Sequence, residues 1–239
     1  MSIRKQAAQW LAIAGCLIAA LTCNAQDITV TGHVDPEGAA KTSSASASVV
    51  WLVPVGAAAD SPAAPMHAVL TQKNKMFDPH LLVVTRGSSV EFPNHDPWFH
   101  NVFSLFNGKR FDLGLYEAGS SRTVHFDRVG ISYIFCNIHP EMSAVIVVLP
   151  SPYFAIPNRQ GEFSIASVPA GRYTVHVWNE NALPATLQAL SREVQVSDAS
   201  HSLGTIRVQV TMAASVPHKN KYGQDYEPPS PNNPVYVQP

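Results

Sequence analysis

From residue 26 onward no stretch keeps the apolar period of a long helix. Short apolar or alternating runs recur instead, each closed by Gly, Pro, Asn or Asp. The clearest are Ile28–Val34, Ser48–Val53, His80–Thr85, Ser88–Pro93, Ser121–Phe126, Ile131–Cys136 and Ala144–Leu149, followed by Ser191–Val196 and Ser202–Val210. Turn signals separate them: Arg86-Gly87, Asn94-His95-Asp96-Pro97, Asn107-Gly108 and Val129-Gly130. Alternation over four to eight residues, bounded by turn residues at this spacing, is the pattern of short strands in a sandwich or barrel. The chain is therefore expected to be all-β, with more than one sandwich in its length.

The first 25 residues read differently. Arg4 and Lys5 precede the uncharged run Trp10–Thr22, and Cys23-Asn24-Ala25 offers small residues at the −3 and −1 positions of a cleavage site. This is the layout of a secretory signal spanning 1–25. The run is shorter than the roughly 20 residues that cross a bilayer, so no membrane span is expected. Ile13-Ala14-Gly15-Cys16 resembles a lipoprotein cleavage box, so a lipid on Cys16 is the competing reading. Export places the mature chain in the periplasm or its equivalent. Of the three cysteines, Cys16 and Cys23 would leave with the signal, so Cys136 would stand alone where paired thiols form disulfides. Removing Arg4 and Lys5 takes the 16 basic residues to 14 against 17 acidic ones, a net charge of −3. With no basic stripe, nucleic acid is not an expected partner.

Four further regions follow. Residues 26–56 hold the first strands. Residues 66–149 hold the densest series of runs, after the Ala57–Pro65 linker. Residues 150–212 begin at Ser151-Pro152 and hold a smaller set. The tail 213–239, with six Pro and no apolar period, is expected to be disordered.

The chemistry is concentrated in Gly130-Ile131-Ser132-Tyr133-Ile134-Phe135-Cys136-Asn137-Ile138-His139-Pro140-Glu141-Met142. A strand runs into Cys136, and one short loop then presents an imidazole and a thioether. Taken singly, Cys136 reads as a core thiol, Met142 as core filler and His139 as a surface residue. Together they form a soft donor set suited to copper, whose blue sites take two His and one Cys with a weak axial Met. The second imidazole must come from elsewhere. His100, leading a strand after the Asn94–Phe99 turn, is the candidate; His95 shares its loop and is the lesser one. Zinc is the rival metal, but a thioether is a poor ligand for it. The other histidines have no partner at ligand spacing.

The segment from about Met76 to Leu149 resembles the cupredoxins, the plastocyanin and amicyanin family. The resemblance rests on Phe77-Asp78-Pro79, Gly87-Ser88-Ser89-Val90-Glu91-Phe92, Asn94, His100-Asn101-Val102, Phe126 and the Gly130 to Met142 stretch. The short ligand-loop spacing is more like amicyanin than plastocyanin. The resemblance implies a Greek-key β-sandwich with one type 1 copper ion held by His100, Cys136, His139 and Met142. It also implies that Asn101, beyond the ligands themselves, pins the two ligand loops together. The run Gly161-Glu162-Phe163 with Val168-Pro169-Ala170-Gly171-Arg172-Tyr173 resembles a carboxypeptidase regulatory-like, transthyretin-like sandwich. The usual Val-x-Gly-x-Val opening strand of that module is missing after residue 150. Val30-Thr31-Gly32-His33-Val34 supplies it, so residues 26–56 are expected to join 150–212 in one outer sandwich, with the copper domain inserted between.

One-electron transfer between redox partners is the leading functional reading, without catalysis. A copper delivery, storage or tolerance protein is the alternative and would use the same ligands. A copper enzyme would need an open coordination position or a second metal site, and the sequence offers no second His cluster. A redox partner is expected to dock where His139 shows its outer ring edge, among Ile138, Met142, Trp98 and Phe99. The oligomeric state and the role of the outer module are not legible in the residues.

Overall fold

The computed structural model describes residues 27–38, 47–56, 63–105, 108–211 and 218–226. The signal expected over 1–25 lies outside them. In chain order the elements are β1 (Asp27–Glu37), β2 (Ser48–Pro54), β3 (His67–Val69), β4 (Thr71–Lys73), β5 (Met76–Asp78) and β6 (Leu81–Thr85). There follow β7 (Ser88–Pro93), β8 (His100–Ser104), β9 (Phe111–Tyr116), β10 (Ser121–Phe126), β11 (Gly130–Cys136) and β12 (Ser143–Leu149). The series ends with β13 (Phe154–Ala155), β14 (Glu162–Pro169), β15 (Gly171–Asn179), α1 (Pro184–Ala189), β16 (Arg192–Val196) and β17 (Ser202–Gln209). The fold is all-β. Among the described residues, no helix is long and apolar enough to cross a membrane.

Two sandwiches are built from these strands. In the first, β14-β1-β17 faces β13-β2-β15-β16. In the second, β10-β7-β3 faces β6-β12-β11-β8-β9, with the β4-β5 hairpin beside it. Strand β1 runs antiparallel to β14, placing Gly32 opposite Phe163, and parallel to β17, placing Val34 opposite Ile206. Strand β2 runs antiparallel to β15, with Trp51 opposite His176, and their rings stack at 5.1 Å. The chain thus opens one sandwich with β1 and β2, builds the other from β3 to β12, and returns to the first at β13. Gly32 is required at its position, because a Cβ there would lie 2.5 Å from the Phe163 ring.

The burial patterns explain which runs alternate and which do not. In β7, Val90 and Phe92 point into the core while Ser89 and Glu91 are partly exposed. Strands β6 and β12 are instead buried along almost their whole length. Leu81, Val83, Val145, Val147 and Leu149 pack into the core of the β1–β2 sandwich. Val84, Ala144, Ile146 and Val148 pack into the core of the other. One sheet face serves each core, and strands buried on both faces read as continuous apolar runs. Burial of each of these Val and Leu side chains is worth about 1.5–3 kcal/mol, so the shared sheet ties the two cores together.

The helix α1 was not foreseen. It has Pro184 in its first turn, where a missing N–H costs nothing, and it buries Leu187.

Of the tail 213–239, only 218–226 fall among the described residues. Residues 218–226 are placed, and they lie against the loop that follows β11: His218 Nε2 is 2.7 Å from the Pro140 carbonyl.

Candidate metal centre

Strand β11 delivers Cys136 at its end, because Phe135 pairs with Ser143 across the β11–β12 hairpin and the six residues 137–142 turn the chain. The turn is closed by backbone hydrogen bonds from Met142 to the His139 carbonyl and from Cys136 to the Met142 carbonyl. Strand β8 lies on the other side of β11, with Val102 opposite Cys136, which brings the start of β8, and so His100, to the same end of the sheet. Two elements far apart in sequence therefore aim their side chains at one point.

The Nδ1 atoms of His100 and His139 are 3.0 Å apart. The Cys136 sulfur is 3.8 Å from the first and 3.6 Å from the second. A triangle with these edges has a centre about 2 Å from all three atoms, which matches the roughly 2.0–2.3 Å bond lengths of a first-row metal to imidazole and thiolate. The donor set fits a metal ion in geometry and in kind. Among the described residues it is the one cluster of three or more His, Cys, Asp or Glu able to hold an ion. His100 and Cys136 are fully buried and His139 is 6% exposed.

The other sequence-predicted residues are placed as follows. Met142 is fully buried at the end of the same loop. The backbone N–H groups of Asn101, Ile138 and His139 are directed at the Cys136 sulfur, an arrangement that favours thiolate over thiol. The Asn101 side-chain amide donates to Asp112 Oδ1 at 2.7 Å. His139 was expected to show its ring edge at the surface; it is instead almost covered by the fold. His95 is exposed and outside the cluster. Phe99 is 48% exposed.

Asp96 is the residue that sequence reasoning missed. Its carboxylate lies 2.8 Å from His100 Nε2 and is itself buried. It also accepts the backbone N–H groups of Asn74 at 2.6 Å and Lys75 at 2.9 Å. Burial alone would push this carboxyl up; the Lys75 and Asn74 N–H groups and the His100 ring outweigh it and hold it below its ordinary value. With its Nε2–H given to Asp96, His100 has only Nδ1 left as a lone-pair donor, and Nδ1 points at the triad. The signal was the i, i+4 spacing of Asp96 and His100 within a segment read as a turn.

Burial pushes the Cys136 thiol up. Burial, with the neighbouring His100, pushes His139 down to about 4. Burial also holds His100 below its ordinary value, with Asp96 opposing. Without a cation the pocket thus favours neutral rings and a neutral thiol. Neutral imidazole is the metal-binding form, and a bound cation inverts the balance at sulfur by stabilising thiolate.

No protein-family model and no curated protein matches the chain. Solved structures similar to part of it include a purple cupredoxin from Nitrosopumilus maritimus, at 22% identity over 34% of this chain and 99% of that one, with a TM-score of 0.31. Amicyanin from Paracoccus versutus is similar at 22% identity over 41% of this chain and 91% of its own, with a TM-score of 0.33. A copper-containing nitrite reductase from Thermus scotoductus is similar at 23% identity over 41% of this chain and 28% of its own, with a TM-score of 0.35.

Proposed function

We propose that this chain is an exported type 1 copper protein that carries single electrons, with His100, Cys136, His139 and Met142 as the ligands of one copper ion. The observation that carries the reading is the buried triangle of two Nδ1 atoms and one sulfur. Two imidazoles and a thiolate with a weak thioether are the donor set of blue-copper electron-transfer sites. Copper bound there would supply a one-electron couple: one electron arrives from a reduced partner and one leaves to an oxidised partner, with no bond made or broken.

The protein's own residues do the rest. Strands β8 and β11 hold His100 and Cys136 at fixed separation, Asp96 sets the tautomer of His100, and the backbone N–H groups at the sulfur stabilise its negative charge. A donor set that does not move between oxidation states keeps reorganisation small. Partner docking is assigned to the end of the molecule that carries the loop. Phe99, on the segment leading into His100, is exposed, and Ile138, on the ligand loop, is partly buried. Transient redox interfaces are small, and a few apolar side chains are enough for one. Near-complete burial of His139 favours retention of the metal and thus electron transfer over delivery, which needs a ligand open to exchange.

The test is electron self-exchange of the copper-loaded protein, measured beside Ile138→Lys. Fast exchange that slows in the variant is expected. Slow exchange in both, with ready loss of copper to a chelator, would replace electron transfer by delivery or storage.

A further inference from the structure

The two ligand-bearing elements are tied together by a segment that lies far beyond both in sequence. Asn101, next to His100 on β8, donates its side-chain amide to Asp112 Oδ1 at 2.7 Å. The other oxygen of Asp112 receives Lys221 Nζ at 2.7 Å. The backbone N–H of the same Lys221 donates to Asn137 Oδ1 at 2.9 Å, one residue after Cys136. The path from the His100 strand to the Cys136 loop therefore runs through Lys221.

Three more contacts bind this segment to the ligand loop. The Tyr226 hydroxyl donates to the Cys136 carbonyl at 2.8 Å. His218 Nε2 lies 2.7 Å from the Pro140 carbonyl. The His218 ring stacks on Phe135 with centroids 3.9 Å apart and an interplanar angle of 23°. Residues 135, 136, 137 and 140 are thus each held from the same side, three of them through backbone or side-chain polar groups that a bare loop would leave to water.

We propose that residues 218–226 act as a clasp on the metal centre, with Lys221 and Tyr226 as positioning residues that hold the Cys136 loop against the His100 strand. The physical case is entropic. The loop 137–142 is short and is closed by backbone hydrogen bonds from Met142 to the His139 carbonyl and from Cys136 to the Met142 carbonyl, and an ion that needs three donors at fixed separation gains affinity when their order is already in place. The clasp supplies that order from outside the loop. Its hydrogen bonds fall on the Cys136 carbonyl, on Asn137 and, through Asp112, on Asn101, and its effect passes through these residues. The inference rests on the copper reading for its consequence but not for its structure, since the clasp is made of protein contacts alone.

The experiment uses the full chain with Lys221→Met, Tyr226→Phe and both together. Lys221→Arg serves as the conservative rescue and Lys219→Gln, at an exposed ion pair of the same segment, as the control. Amide hydrogen exchange over residues 136–142 is followed in the metal-free protein. The rate of copper loss to excess chelator is followed in the loaded protein, along with the position of its thiolate-to-copper band. The double variant is expected to exchange loop amides and to lose copper about tenfold faster, the scale of one charge-assisted hydrogen bond. The band should shift as well, while Lys221→Arg recovers most of the wild-type behaviour and Lys219→Gln matches it. Wild-type loop exchange in the double variant overturns the clasp, and so does an equal acceleration in Lys219→Gln. A wild-type protein that takes up copper without a thiolate band would instead overturn the copper reading, and the metal-free exchange arm would still decide the clasp.

Discussion

Asp96 holds the outer nitrogen of His100, and that contact makes a quantitative demand. Asp96→Asn keeps the shape but removes the charge that fixes the Nε2–H tautomer. Loss of such an outer partner lowers metal affinity roughly 10–100-fold. A competition titration against a chelator of known affinity is expected to show a fall of that size, with the fold intact by circular dichroism; unchanged affinity would mean that Asp96 merely caps the Asn74–Lys75 turn. Met142→Leu is a second residue-scale case. A weak axial thioether contributes little to holding the metal but tunes its electronics, so the variant is expected to stay coloured and to shift in reduction potential by voltammetry. An unshifted potential would remove Met142 from the ligand set.

At the scale of elements, His80 joins the two sandwiches. Its Nδ1 lies 3.1 Å from the Ser143 carbonyl and its Nε2 lies 2.8 Å from Glu180 at the end of β15. Both partners are acceptors, so the contacts favour the protonated ring, which donates from both nitrogens. The bond to Glu180 raises the His80 pKa, against burial. A group raised in the folded state stabilises below its unfolded value of about 6.5 and loses that contribution as pH rises through the folded value. The stability lost in Glu180→Gln, measured by urea unfolding, is therefore expected to be larger at about pH 6 than at about pH 9. An equal loss at both would show that the charge on His80 has no part in it. The same scale shows where the sequence was readable. Strands such as β7 and β11 bury one face, so their alternation exposes them. The missing opening strand of the later module pointed to β1, which lies beside β14 and β17. Short β3, β4 and β5 left no periodic trace. The His–Cys–His donors were legible because their chemistry is rare and closely spaced. Asp96 was not, because a carboxylate in an Asn-x-Asp-Pro turn has an ordinary local explanation. The clasp was invisible because its contacts span long sequence separations and its segment is too polar to show a pattern.

At the scale of the whole molecule, β6 and β12 give side chains to both cores, so neither sandwich has a complete core alone. Unfolding is expected to be a single transition, coincident by far-UV circular dichroism and by fluorescence of Trp51 and Trp178 in one sandwich and Trp98 in the other. Two separated transitions would contradict the shared sheet. Leu149→Ala, on the face turned to the β1–β2 sandwich, is expected to cost about 2–5 kcal/mol and to lower that one transition without splitting it. A rigid sheet backed on both faces also gives the metal centre its floor, since β11 and β12 carry the loop between them. The central claim, that this floor presents a type 1 copper site, is tested most directly by the visible absorption spectrum of the copper-loaded protein beside Cys136→Ser. An intense thiolate-to-copper band in the wild type that vanishes in the variant is the predicted result. A copper-loaded wild type with no such band, or a variant that keeps it, would contradict the assignment.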